Sequence, residues 1–205
     1  MIGILNIGLG NVQSVYNAIY ENGYDTIFIN TPEELTSLTH LILPGVGNFS
    51  AVMSTLKTLN FVDAIQQFIA EGKPTLGICL GMQLLATSGR EGGTTQGLGI
   101  IPATVEPIPT NAELRIPHVG WNEAAYSNHH PIFNQIKDQR DFYFVHSFHM
   151  NCEHNDDILA TTQYGNPLVC AVAKNNVVGV QFHPEKSQKN GMQLLENFCE
   201  WDGQC

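Results

Sequence analysis

The stretch Pro74-Thr75-Leu76-Gly77-Ile78-Cys79-Leu80-Gly81-Met82-Gln83-Leu84-Leu85-Ala86 decides how the chain is read. Residues 75–78 read as a short buried strand entered from a proline, and residues 81–86 switch to helical spacing. A cysteine therefore sits between a strand and a helix, with a glycine two positions to either side. This pattern matches the strained turn that lifts a nucleophile clear of its sheet. A β-carbon at either glycine would crowd the strand and helix that the turn joins. A helix N-terminus also offers unpaired amide protons and a partial positive charge, which favour thiolate over thiol. The amide of Leu80 would point to where a tetrahedral oxyanion forms. The plainer alternative is a free cysteine that simply packs in the core.

Working outward toward the N-terminus, residues 2–7, 26–29 and 40–43 are further apolar strands. Between them, Val12, Val15, Ala18 and Ile19 mark one face of a helix that ends near Asn22-Gly23. Thr31-Pro32-Glu33-Glu34 opens a short helix with a capping-box pattern. Residues 52–70 carry two short helices broken near Asn60. Strand and helix alternate, which predicts an α/β fold with a mostly parallel central sheet flanked by helices. Gly8-x-Gly10 after the first strand lacks the third glycine of a dinucleotide fingerprint, since Gln13 stands there. A tight turn explains it better.

Toward the C-terminus the pattern changes. Residues 104–108, 122–126, 141–146, 158–164, 168–174 and 177–182 are strand candidates in close succession. They predict antiparallel strands added in the C-terminal half. A last helix runs from about residue 191 to 201, with Leu194, Leu195 and Phe198 on one face. No repeat or linker divides the chain, so residues 1–205 are expected to form one domain.

The last strand candidate leads into His183-Pro184-Glu185. Pro184 pushes His183 toward extended backbone. With the extension continued, His183 and Glu185 would project to the same side of the strand. Glu185 could then bond one ring nitrogen and leave the other facing a thiol. Alone, the tripeptide reads as a polar turn. Paired with Cys79, it supplies a base and an orienting carboxylate, and the three together point to hydrolytic acyl transfer.

Composition excludes several other classes. The chain has 205 residues, 43% hydrophobic and 14% charged, enough for one sizeable core and too apolar for disorder. Nineteen acidic against nine basic residues leave a net charge of −10 and no basic stripe for nucleic acid. Five cysteines at irregular spacing suggest no disulfide framework, and no Cys-x-x-Cys pair suggests zinc. His129, His130, His146, His149 and His154 read as separate loop and surface histidines, and no metal is expected. The opening Met-Ile-Gly-Ile-Leu reads as a first strand and not a signal peptide. No apolar run is long enough to span a membrane, so a cytoplasmic protein is expected.

Six segments together carry a family resemblance. They are Gly8-Leu9-Gly10-Asn11, Pro44-Gly45-Val46-Gly47, Gly77-Ile78-Cys79-Leu80-Gly81-Met82-Gln83, Pro117-His118-Val119-Gly120-Trp121-Asn122, Phe142-Tyr143-Phe144-Val145-His146-Ser147 and Gly179-Val180-Gln181-Phe182-His183-Pro184-Glu185. Over essentially its whole length the chain resembles the glutamine amidotransferase subunits of imidazole glycerol phosphate synthase. These are triad-type (class I) amidotransferases of histidine biosynthesis, with a flavodoxin-like sheet. Asn6 stands where that family often has aspartate, and Phe148 where it often has tyrosine.

The resemblance implies a role for each matching residue. Cys79 attacks the side-chain amide of L-glutamine, His183 shuttles the proton and Glu185 orients His183. Leu80 supplies one oxyanion donor, and the second comes from the 44–47 loop, around Val46 or Gly47, after a peptide flip. Gln83, Glu91, Ser147 and Phe148 form the glutamine pocket, with Glu91 facing the substrate's α-ammonium; an exposed loop glutamate is the alternative. Asn11, Pro117, His118, Trp121 and Asn122 face a partner, with core packing as the alternative for Trp121. No cofactor is implied.

A partner also follows from chemistry. Ammonia released into neutral water is mostly protonated, and ammonium is not a nucleophile. The resemblance implies a (β/α)8-barrel cyclase subunit as the acceptor, in a heterodimer. The nearest alternative is a paralogous class I subunit feeding another synthase, such as a surface-sugar amination enzyme. A cysteine hydrolase or chaperone-like protein acting alone, and a non-catalytic regulatory subunit, are the other classes. The terminal His-x-Glu argues against the first and the intact set of three against the second.

Overall fold

The computed structural model describes residues 1–8, 11–110 and 114–204. Leu9 and Gly10, within the first glycine-rich segment, lie outside the described residues.

Four runs of buried residues lay down the centre of the sheet: β1 (Ile2–Leu5), β2 (Thr26–Ile29), β3 (His40–Gly45) and β4 (Thr75–Cys79). They pair in parallel in the order β2-β1-β3-β4. Helix α1 (Val12–Glu21) follows β1, and a 3₁₀ turn at Pro32–Ser37 follows β2. Helices α2 (Phe49–Thr58) and α3 (Phe61–Ala70) follow β3, separated by Asn60 in the left-handed conformation. Helix α4 (Leu80–Leu84) follows β4 directly. The 81–86 helical pattern ends early, at Leu84. The carbonyls of Leu84, Leu85 and Ala86 accept from the amides of Leu98, Ile100, Ile101 and Gly99, which fold back over the helix end. Helix α2 begins three residues earlier than its apolar spacing suggests, because the Asn48 side chain accepts from the Ala51 amide and caps it.

The second half contributes β5 (Ala86–Gly89), β6 (Thr95–Gln96), β7 (Ile101–Pro107), β8 (His118–Tyr126), β9 (Arg140–His146), β10 (Phe148–Cys152), β11 (Ile158–Tyr164), β12 (Asn166–Lys174) and β13 (Val177–Val180), then helix α5 (Gln188–Glu200). Strand β13 returns to the parallel centre beside β4, with Val180 opposite Ile78. From there the sheet continues β12-β10-β7-β5-β6, with β11, β8 and β9 branching from β12. Most pairings in this half are antiparallel, as the close succession of strands predicts. Strands β5, β6 and β10 are additions that the sequence pattern did not announce.

Central strands are apolar on both faces because both faces are covered. Leu41 and Leu43 of β3 belong to the core built with α2 and α3 through Met53, Leu56, Phe61 and Ile65. Ile42 of the same strand, with Leu76 and Ile78 of β4, belongs to the core built with α1 and α5 through Val15, Ile19, Leu194 and Phe198. Among the described residues no helix is long and apolar enough to cross a membrane.

Candidate active site

Cys79 ends β4 with φ +53° and ψ −109°, a backbone conformation that side-chain-bearing residues rarely adopt. The flanking glycines permit it through space and not through their own dihedrals. A β-carbon on Gly77 would stand 2.7 Å from the Gly81 carbonyl, and one on Gly81 would stand 1.7 Å from the Leu43 carbonyl oxygen. Strand and helix thus approach backbone to backbone, and the nucleophile candidate sits at the crest. Gly45 of β3 pairs with Cys79, which brings the 44–47 loop alongside. Gly47 lies at φ +118° with open space where a β-carbon would be, so its backbone conformation is what requires glycine.

His183 comes three residues beyond the end of β13, and its amide donates to the Tyr143 carbonyl at 2.9 Å. Residues Pro184–Lys186 form a 3₁₀ turn, closed by the Ser187 hydroxyl donating to the His183 carbonyl at 2.6 Å. The expected strand alternation therefore does not place Glu185. The turn carries its carboxylate back instead, and Oε1 lies 2.8 Å from His183 Nδ1 with both side chains almost fully buried. Nδ1–H bonded to the carboxylate leaves Nε2 as the ring's second nitrogen, which among the described residues makes no hydrogen bond of good geometry. Cys79 is close enough to bias it all the same. Burial disfavours the imidazolium, but interaction with Cys79 and with the Glu185 carboxylate outweighs it and lifts His183 to about 9.

A cavity of about 310 Å³ opens above Cys79 and Leu80. It is lined by Val46, Gly47, Gln83, Glu91, Ser147 and Phe148, together with Pro117, Val145 and His146. The predicted oxyanion and pocket residues thus meet around one space of a size that suits a small metabolite. Glu91 also has a structural task, since Oε2 accepts from the Phe49 amide at 2.7 Å, at the start of α2. Gln83 donates to the Phe148 carbonyl at 3.1 Å and to Gln181 Oε1 at 2.9 Å.

Residues 4–201 match the glutamine amidotransferase class-I family. The chain belongs to the class-I glutamine amidotransferases. Its relatives include imidazole glycerol phosphate synthase subunit HisH 2 of Methanococcus maripaludis, 45% identical over 97% of this chain and 98% of that protein. Subunit HisH 1 of Campylobacter jejuni (strain 81-176) is 42% identical over the same shares. Among solved structures, one described as a glutamine amidotransferase aligns with a TM-score of 0.74 at 22% identity, over 97% of both chains. PurLQS from Thermotoga maritima aligns with a TM-score of 0.78 at 16% identity, over 97% of this chain and 96% of that one. At such identities these two speak for the fold alone.

Around the mouth of this class-I amidotransferase, strand β8 alternates with period two. Val119 and Trp121 face outward, 54% and 47% exposed, and Trp121 stands edge-on to Tyr143. The core-packing alternative for Trp121 is thereby set aside. His118 faces inward: it is buried, stacked on Phe144 and Tyr164, and does not present its ring to a partner. Its task is internal. The Phe148 carbonyl accepts from His146 Nδ1 at 2.8 Å, so His146 Nε2 must accept from His118 Nδ1 at 2.9 Å. His118 Nε2 then faces the Asn122 amide at 3.3 Å, and that amide also donates to the Gln163 carbonyl. Burial holds both rings neutral, each lowered to about 4. Asn11 precedes α1 and accepts from the Ser14 hydroxyl at 2.7 Å, while Pro117 is exposed at the cavity edge.

Three residues of this site drew no role from the sequence. Val145 and His146 line the cavity, and Gln181 touches the Cys79 sulfur. The available signal for Gln181 was its place two residues before His183 in an otherwise apolar run.

Proposed function

We propose that the chain is the glutaminase subunit of an imidazole glycerol phosphate synthase. It hydrolyses L-glutamine to glutamate and ammonia through Cys79, His183 and Glu185. Cys79 Sγ attacks the carboxamide carbon while His183 passes a proton to the departing ammonia. Water then cleaves the thioester, with His183 as base, and releases glutamate. Leu80 and the Val46–Gly47 segment bind the oxyanion. Gln83, Glu91, Ser147 and Phe148 hold the substrate, with Glu91 opposite its α-ammonium. Ammonia passes, still dry, to a (β/α)8-barrel cyclase docked on the face bearing Asn11, Pro117, Trp121 and Asn122. There it serves the formation of imidazole glycerol phosphate and aminoimidazole carboxamide ribonucleotide in the cytoplasm.

The observation that carries this reading is the strained Cys79, at φ +53° on the floor of the cavity, close enough to the buried His183–Glu185 pair to interact with the imidazole. The relatives are named as subunits of imidazole glycerol phosphate synthase, which supports a partner subunit. Glutaminase activity is measured with and without a cyclase subunit and its nucleotide. Stimulation by the cyclase, abolished in Cys79→Ala while ammonia-dependent synthesis persists, is the expected result. High activity with no partner, or loss of both activities together in a folded complex, overturns it.

A further inference from the structure

Gln181 is fully buried in a segment that is otherwise apolar, between Val180 and Phe182. A buried carboxamide is costly unless its polar atoms are bonded, so its partners explain its presence. Its backbone is fixed, because the Gln181 amide donates to the Cys170 carbonyl at 2.9 Å. Donor–acceptor arithmetic then fixes the side chain. The Phe148 carbonyl can only accept, so the end of Gln83 that faces it must be the amide nitrogen. That same nitrogen lies 2.9 Å from Gln181, so the end of Gln181 facing it must be the oxygen. The opposite end, Nε2, therefore points at Cys79 Sγ, 3.6 Å away. Were either amide turned over, two acceptors or two donors would face each other in a dry interior.

We infer that Gln181 is a further catalytic residue, one whose side-chain N–H donates to the Cys79 sulfur and holds it as thiolate for attack. Among the described residues the sulfur has two other polar neighbours. The Val145 carbonyl, 3.9 Å away, can only receive a thiol proton. His183 can donate, but must release its proton to the leaving ammonia under the function proposed above, on which this inference rests. Gln181 is the donor that stays in place throughout. Gln83 acts behind it as a positioning residue, since its nitrogen sets which way the Gln181 amide faces. A reaction that develops and discharges negative charge on sulfur gains from a fixed dipole there.

The test uses the full chain with Gln181→Glu and Gln181→Met. The first keeps the shape and presents an acceptor to the sulfur; the second keeps the volume and removes the donor. Alkylation of Cys79 by iodoacetamide is followed across pH by mass spectrometry of its peptide, alongside glutaminase kinetics. At neutral pH both variants alkylate Cys79 about tenfold more slowly or worse, the scale of one lost hydrogen bond to a charged group. Their kcat falls in step, while KM for glutamine stays within about twofold, because the lost bond is to the nucleophile and not to the substrate. Unchanged alkylation in either folded variant overturns the inference, whatever happens to kcat. In the unaltered protein labelled with ¹⁵N-glutamine, the Gln181 side-chain amide signal should move when Cys79 is alkylated; a stationary signal also counts against it. Full glutaminase activity in Cys79→Ser would instead sink the function itself, so the two failures are distinct.

Discussion

Glu185 reaches His183 across a single 3₁₀ turn, Oε1 to Nδ1 at 2.8 Å, with both side chains sealed from solvent. The two residues are neighbours in sequence, yet the contact depends on Pro184 starting the turn and on the Ser187 hydroxyl closing it. A local motif thus delivers an oriented imidazole to a site whose thiol comes from residue 79.

This pair sets a pH dependence of stability. The folded-state value of His183, about 9, lies above its ordinary 6.5. A raised value means that the stabilisation is fully present below the unfolded-state value and disappears as pH rises through the folded-state value. The melting temperature should therefore fall between roughly pH 6.5 and 9.5. Glu185→Gln removes one of the contacts that raise His183, so its decline over that interval should be shallower. Calorimetry at matched ionic strength compares the two slopes, and parallel curves would contradict the assignment.

Gly81→Ala should be the most damaging glycine-to-alanine change among the described residues. Its β-carbon would fall 1.7 Å from the Leu43 carbonyl oxygen, a backbone atom with no rotamer to yield. A loss of about 3 kcal/mol or more in urea unfolding is expected, at the upper end of overpacking effects.

Glu91→Ala should have two separable effects. Loss of the carboxylate that accepts from the Phe49 amide should cost about 1 kcal/mol at the start of α2. Loss of the partner proposed for the substrate ammonium should raise KM for glutamine roughly tenfold or more, with kcat changed less. Glu91→Asp, if it retained both, would show that reach is not critical.

His118 and Trp121 lie three residues apart on β8 but should respond oppositely to truncation. His118→Ala strips His146 Nε2 of its donor in a buried setting and should cost about 1–3 kcal/mol. Trp121→Ala exposes little and should shift stability by less than about 1 kcal/mol, while weakening association with a cyclase subunit. Melting curves and a binding titration read both.

The parallel centre was legible because its strands are short apolar runs punctuated by glycine, proline and asparagine, from Ile2 to Cys79. Residues 26–29 were delimited to the residue, and Asn60 marked the break between α2 and α3. The edge was not legible. Ala86–Gly89 and Thr95–Gln96 carry no apolar alternation, since only pairing with neighbours makes them strands. Phe148–Cys152 was hidden in a polar run whose partner, β7, lies some forty residues back. Cys79, His183 and Glu185 could be picked from motif chemistry. The amides that surround the sulfur could not, because the Gln83–Gln181 contact spans 98 positions and leaves no local pattern.

Strand β8 looks two ways, with Trp121 on one side and His118 on the other. Successive side chains of a strand point to opposite faces of one backbone, so the outer and inner rows of β8 are carried by the same strand. The inner row is tied through His146 to the carbonyl of Phe148, which also anchors Gln83. A partner docked on the outer row, as proposed above, would therefore press on the same strand whose inner row leads to the surroundings of the Cys79 sulfur.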